Sequence, residues 1–142
     1  MLLYLDNCSF NRPFDIQTQL NISLESQAKL FVQQGIQSGR FSLAWSYVLE
    51  YENNKNPFEL RRDSIRQWKG LATKFIAESD EVIALSEALI ARGVKLYDSL
   101  HVACACIGGC ERFLTVDKGL LNKLINEIIV QNPLDFVREL GV

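Results

Sequence analysis

Short apolar runs alternate with helical patterns along this chain. Leu2-Leu3-Tyr4-Leu5 is a continuous apolar run that stops at Asp6-Asn7-Cys8-Ser9. This predicts a buried strand ending in a loop, which Asn11-Arg12-Pro13 extends. Residues 23–38 place Leu24, Ala28, Phe31 and Gly35 at helical spacing, and Gly39 closes that helix. Phe41-Ser42-Leu43-Ala44 reads as a second strand and 46–51 as a short helix, with a turn at Asn53-Asn54-Lys55-Asn56-Pro57. From 58 to about 78 the pattern is helical. Ile65, Trp68, Ala72 and Phe75 share its core face, and Arg62, Arg66 and Lys69 share another. Ser79-Asp80 caps a helix ending at Arg92-Gly93. Val94-Lys95-Leu96 reads as a brief extended piece, and Asp98 opens a helix of small and apolar residues that stops at Gly108-Gly109. Arg112-Phe113-Leu114-Thr115 is a further strand, ending in Val116-Asp117, and a helix near 118–126 follows. Ile128-Ile129-Val130 is a last strand, and Asn132-Pro133 starts a terminal helix.

Such alternation indicates an α/β domain with a mostly parallel sheet, whose strands are buried on both faces and so read as unbroken apolar runs. With 142 residues, the expected organisation is one domain over 1–142. No apolar run reaches the roughly 20 residues that span a bilayer. The start lacks a basic segment and meets an acid at position 6, unlike a signal peptide. The expectation is a soluble, cytoplasmic protein with no membrane partner.

Cys8, Cys104, Cys106 and Cys110 include no C-x-x-C pair, so they read as small apolar residues in a reducing compartment rather than as zinc ligands. Fifteen bases against seventeen acids give a net charge of −2, which argues against a generally basic surface. Residues 55–74 nevertheless hold six bases against two acids, a local balance of +4. Arg62, Arg66 and Lys69 in this segment can contact RNA or an acidic partner, or form a solvated helix face.

Ligands of open α/β sheets bind beyond the carboxyl ends of the strands. Asp6 directly follows the first strand, Asp117 follows a later one by two residues, Glu50 lies in the helix after the second strand, and Asp98 opens a helix. Four carboxylates are thus expected at one sheet edge. Their repulsion is offset when a cation binds among them, and oxygen-only ligands favour Mg²⁺ or Mn²⁺. Asp6, Asp98 and Asp117 are the expected metal ligands, with Glu50 the fourth catalytic acid and Glu52 its competitor. The reaction class is metal-assisted phosphodiester hydrolysis. Setting these four acids aside leaves thirteen acids against fifteen bases, compatible with a polyanionic substrate. Each acid has a plainer reading alone: Asp6 as a turn or cap, Asp98 as a helix cap, Asp117 as a loop acid, Glu50 as part of a solvated helix.

Leu3-Tyr4-Leu5-Asp6-Asn7-Cys8, Trp45-Ser46-Tyr47-Val48-Leu49-Glu50, Tyr97-Asp98-Ser99-Leu100-His101-Val102-Ala103-Cys104-Ala105 and Phe113-Leu114-Thr115-Val116-Asp117-Lys118 resemble the four acidic motifs of the PIN-domain nucleases, particularly the VapC-type toxins of bacterial toxin–antitoxin pairs. The tail from Ile129 to Phe136 is similar to that of many members. The resemblance implies a five-stranded parallel sheet between helices, a three-layer α/β/α sandwich. It also implies Mg²⁺- or Mn²⁺-dependent RNA cleavage, frequent homodimers and a small antitoxin protein as partner. In one respect the chain departs from the pattern. Cys8 stands where the first motif usually carries Asn, leaving Asn7 or Ser9 to supply the hydrogen bond that an amide would give.

Thr115 is a candidate to hold Asp117 or a bound water, or is simply a strand residue. His101, one turn after Asp98, reads as a packing residue before a general base. Lys118 is a candidate phosphate contact or a solvated lysine. The alternative to a nuclease is a catalytically degenerate PIN-like module that binds RNA or a protein.

Overall fold

The computed structural model describes residues 1–11 and 20–141. Its elements run β1 (Leu2–Leu5), α1 (Asn7–Asn11), α2 (Leu20–Gln37), β2 (Ser42–Ser46), α3 (Tyr47–Asn54), α4 (Glu59–Lys69), β3 (Lys74–Ile76), α5 (Asp80–Ala91), α6 (Leu96–Ile107), β4 (Arg112–Leu114), α7 (Lys118–Leu121), β5 (Ile129–Gln131) and α8 (Pro133–Glu139). The strands form one five-stranded sheet in the order β3-β2-β1-β4-β5, and every pairing is parallel. Helices cover it as a three-layer α/β/α sandwich, as expected.

The apolar run at the start becomes the central strand because it can be buried on both sides. Leu3, Tyr4 and Leu5 are at most 2% exposed, and Leu3 pairs with Leu43 of β2, while Tyr4 and Leu5 pair with Phe113 and Leu114 of β4. Tyr4 stacks on Phe113 with centroids 5.1 Å apart, and Phe41 meets Phe136 of α8 edge-on at 5.5 Å. Gly39, with φ of 83°, ends the α2 segment in a conformation that residues with a side chain rarely adopt. After β1 the chain adds β2 and β3 on one side, then β4 and β5 on the other. The order reverses between β1 and β4, and a crevice forms at such a point beyond the strand ends.

Several sequence expectations are corrected. The loop expected after β1 is helix α1 as far as Asn11, and Arg12-Pro13 lie outside the described residues. The helix expected over 58–78 stops at Lys69, and 74–76 form edge strand β3. Trp68 stays on the core side, 6.1 Å from Phe10, whereas Phe75 is 59% exposed on β3. Val94-Lys95 are not a strand, and Leu96 already begins α6. Helix α7 ends at Leu121 rather than near 126. Among the described residues, no helix is long and apolar enough to cross a membrane.

Candidate active site

Three acids converge at the carboxyl edge where the strand order reverses. Asp6 leaves β1 and is 5% exposed. Its Oδ1 accepts the Ser9 backbone N–H and the Ser9 hydroxyl, each at 3.1 Å, and its Oδ2 accepts the Thr115 hydroxyl at 2.6 Å. Burial pushes the Asp6 carboxyl above the ordinary carboxylate range, opposed by the Thr115 hydrogen bond, His101 and Ser9. Thr115 therefore does hold an acid, but Asp6 rather than Asp117. Its Oγ1 also accepts the Asp117 backbone N–H at 3.1 Å, so one hydroxyl ties both acids to the segment that leaves β4.

Asp117 caps α7: its Oδ1 accepts the N–H groups of Gly119 at 2.8 Å and Leu120 at 3.4 Å. Asp98 lies in the first turn of α6, but that helix has Lys95 at its N-cap and no side-chain cap bond. The plain capping reading of Asp98 therefore fails. Among the described residues no hydrogen-bond donor reaches its carboxylate. Burial, then Asp117, then Asp6 push the Asp98 carboxyl above its ordinary value, against the pull of His101 and Lys95. Asp98 and Asp117 line one cavity of about 310 Å³, with Lys95 and Lys123 also in its wall. Lys118 is exposed and does not line it.

Glu50 does not join them. Its Oε2 accepts the Trp45 indole N–H at 2.9 Å and lies 3.3 Å from the Lys69 ammonium. Glu52 does approach: its Oε1 contacts His101 Nε2. Two positions along a helix are about 200° apart around its axis, so the two glutamates of α3 face opposite ways. The sequence alone weighed both; the fold turns Glu52 to His101, whose ring in turn acts on Asp6 and Asp98.

His101 is 3% exposed and has both ring nitrogens engaged, so it positions Glu52 rather than meeting solvent. The Tyr4 hydroxyl lies 2.6 Å from His101 Nδ1 and 2.6 Å from Ser46 Oγ, and Ser46 Oγ accepts the Leu49 N–H at 3.1 Å. Burial holds the Tyr4 phenol well above its usual range, so it remains a donor. A continuous chain thus runs from the start of α3 through β2, β1 and α6 back to Glu52. Sequence reasoning missed it, although a hydroxyl inside Leu2-Leu3-Tyr4-Leu5 was the available signal.

Asn7 Oδ1 and Nδ2 are buried without a protein partner, so Asn7 supplies Asp6 with no hydrogen bond; Ser9 does. The Cys8 side chain lies outside the described residues. Arg62, Arg66 and Lys69 do not form one open stripe. Arg62 donates to the Asn56 carbonyl at 3.4 Å, Arg66 donates to Asn54 Oδ1 at 3.1 Å and pairs with Asp63, and Lys69 pairs with Glu50. Burial pushes the Cys104 and Cys110 thiols up to about 12 and Cys106 to about 11, the behaviour of packed, inert cysteines.

Among the described residues, no three His, Cys, Asp or Glu side chains are placed to hold a metal ion between them. The arrangement offers instead two cavity-lining carboxylates backed by a buried third. That suits Mg²⁺, which commonly takes one or two carboxylates, several waters and substrate phosphate.

No protein-family model matches the sequence. No curated protein matches it either. Solved structures do match. The crystal structure of VapBC2 from Rickettsia felis bound to a DNA fragment from their promoter aligns at TM-score 0.56 and 14% identity, over 93% of this chain and 98% of that one. The crystal structure of FitAcB from Neisseria gonorrhoeae aligns at TM-score 0.60 and 14% identity, over 94% of this chain and 98% of that one. The fold is therefore the PIN-like, VapC-like one that the motifs resemble.

Proposed function

We propose that the chain is a metal-dependent endoribonuclease of the PIN type, the toxin of a toxin–antitoxin pair. One observation carries this reading: Asp98 and Asp117 line a common cavity and repel each other, Asp6 adds to that repulsion, and among the described residues no hydrogen-bond donor reaches Asp98. The shared fold and the three motifs that carry Asp6, Asp98 and Asp117 support it. A small antitoxin protein and a second copy of the chain are the partners that the VapC-type resemblance suggests.

Asp98 and Asp117 would hold Mg²⁺ or Mn²⁺, with Asp6 adding charge from the buried side. A bound ion would polarise a phosphoryl oxygen and acidify the attacking water. Thr115 fixes Asp6 and the backbone of Asp117 against one another. Glu52, held by His101, would serve as the fourth acid in place of Glu50. Lys95 and Lys123 in the cavity wall balance the incoming phosphate. The expected products carry a 5′-phosphate and a 3′-hydroxyl. The test is incubation of labelled single-stranded RNA with Mn²⁺ or with EDTA. Cleavage that persists in EDTA, or products ending in cyclic phosphate, would refute the assignment.

The two glutamates give a separate check. Glu50→Gln is expected to leave cleavage within about twofold, since it removes only a partly exposed ion pair. Glu52→Gln is expected to lower it by at least about tenfold, at the low end for loss of a positioned catalytic group. The opposite ranking in a rate assay would restore Glu50.

The second reading, a PIN-like module that binds without cutting, is favoured by the lack of a three-residue metal group among the described residues. Mn²⁺ titration separates the two, because a degenerate site binds the ion poorly.

A further inference from the structure

The hydrogen bonds that lead from the start of α3 to Glu52 have a definite proton order. Leu49 N–H meets Ser46 Oγ at 3.1 Å, Ser46 Oγ meets the Tyr4 hydroxyl at 2.6 Å, that hydroxyl meets His101 Nδ1 at 2.6 Å, and His101 Nε2 meets Glu52 Oε1. At one end a backbone N–H can only donate. At the other a carboxylate can only accept. Between them lie three contacts that each need one proton. Ser46 brings one, Tyr4 brings one, and a His101 ring with a single N–H brings the third. The count closes in one direction. Ser46 donates to the Tyr4 oxygen, Tyr4 donates to a bare Nδ1, and Nε2–H donates to Glu52.

Other arrangements leave a group unmatched. With the ring proton on Nδ1, the Nε2 lone pair faces the carboxylate. With protons on both nitrogens, Nδ1–H donates to Tyr4, Tyr4 donates to Ser46, and the Ser46 hydrogen is left over. The neighbour at hand for it is the Cys104 thiol, a weak acceptor. Mismatches are costly at this depth, since Tyr4, Ser46 and His101 are at most 3% exposed. The Glu52 side chain is 30% exposed, so without a ring N–H to hold it, it is free to turn to solvent.

We propose that Tyr4 and Ser46 are positioning residues for hydrolysis: they hold His101 as its Nε2–H tautomer, and the ring holds the Glu52 carboxylate in place. The proposal rests on the ribonuclease reading, in which Glu52 is the fourth acid. The bond made by one ring nitrogen sets what the other presents, and here Tyr4 makes it. Tyr4→Phe is the cleaner variant. It removes one hydroxyl, keeps a ring to stack on Phe113, and leaves Ser46 capping α3.

The first test is NMR. His101 is the only histidine of the chain, so a nitrogen-labelled protein gives one imidazole pattern. A proton–nitrogen correlation spectrum of that ring is recorded on the full chain at neutral pH in EDTA. A bare and a protonated ring nitrogen resonate far apart, whereas two protonated nitrogens resonate close together. The expected pattern is a bare Nδ1 and a protonated Nε2. Tyr4→Phe is expected to move Nδ1 to higher chemical shift, the direction for a ring nitrogen that has lost its donor. A parent ring protonated at Nδ1, alone or with Nε2, overturns the proposal whether or not the variant folds. An Nδ1 signal that Tyr4→Phe leaves in place also overturns it.

The second test is RNA cleavage with Mn²⁺. Tyr4→Phe is expected to lower kcat by about three- to tenfold, with KM within about twofold. In a Glu52→Gln background the same change is expected to cost nothing further, because the group it positions is already gone. Full additivity of the two substitutions means that Tyr4 acts through packing, and it overturns the positioning role. A chain that shows the expected tautomer but never cuts RNA keeps the proton order and loses the nuclease reading. A chain that cuts with a different tautomer does the reverse.

Discussion

Asp98→Asn is expected to lower Mn²⁺-dependent RNA cleavage by about 10²–10³-fold, the usual loss when a positioned electrostatic group is removed from a reacting centre. The same variant is expected to be more heat-stable than the parent when no metal is present. In the folded chain the Asp98 carboxyl sits above its ordinary value, because burial and two neighbouring acids disfavour its charge. The folded state therefore holds its proton to higher pH than the unfolded state does. Stability falls as pH rises from the ordinary carboxylate value to the raised one, and the deficit persists above it. Asparagine removes that deficit. The side chain is half-buried, so solvent screening keeps the gain to a few degrees of Tm. Adding Mn²⁺ should raise the Tm of the parent and leave that of the variant almost unchanged, because an ion that binds only the folded state stabilises it. Thermal scans at neutral pH with and without Mn²⁺ check all three statements. A variant that still cuts, or that still gains Tm from the ion, removes Asp98 from the site.

Thr115→Val is expected to cost about 2–3 kcal/mol of folding stability at neutral pH, the scale for losing a hydrogen bond to a buried charged group. Valine has nearly the same shape, so packing just after β4 is kept. What disappears is the 2.6 Å hydrogen bond to Asp6 and the acceptor for the Asp117 N–H. With that support gone, the Asp6 carboxyl rises further. The folded variant then binds its proton over a wider span of pH, so its stability declines more steeply with rising pH than that of the parent. The gap between the two is largest at neutral pH and narrows as acid protonates Asp6 in the folded state. Urea unfolding at several pH values reads this directly. A gap that stays constant with pH would mean that the hydroxyl matters for something other than the charge on Asp6.

What could be read in the sequence divides along physical lines. β1, β4 and α6 were legible because each is a clear pattern: an apolar run closed by an acid, or small residues at helical spacing ended by glycines. The convergence of Asp6, Asp98 and Asp117 followed from the rule that ligands bind at strand ends. β3 was not legible. It is a three-residue edge strand with Lys74 and Phe75 exposed, and edge strands carry little alternation. Phe75 also happens to fall seven residues after Trp68, which mimics the next turns of α4. α1 was hidden because Asn7, Cys8 and Ser9 are poor helix formers; Asp6 caps the start by accepting the Ser9 N–H. The choice between Glu50 and Glu52 depended on the rotation of α3, which Ser46 at its N-cap and the buried Val48 and Leu49 set. No local pattern reports that angle. Apart from Asp63, one turn before Arg66 in α4, the partners of Arg62, Arg66 and Lys69 come from the turn before α4 and from α3, a tertiary fact.

The bond between Thr115 and Asp6 joins positions 109 residues apart. On the ribosome, the first acid leaves the exit tunnel long before its clamp has been translated. β1 likewise waits for β4 to complete its pairing. A nascent chain therefore carries no assembled acid cluster until the segment through Asp117 has emerged. If the folded protein cuts RNA, its own message and the machinery reading it are spared until that segment has been made.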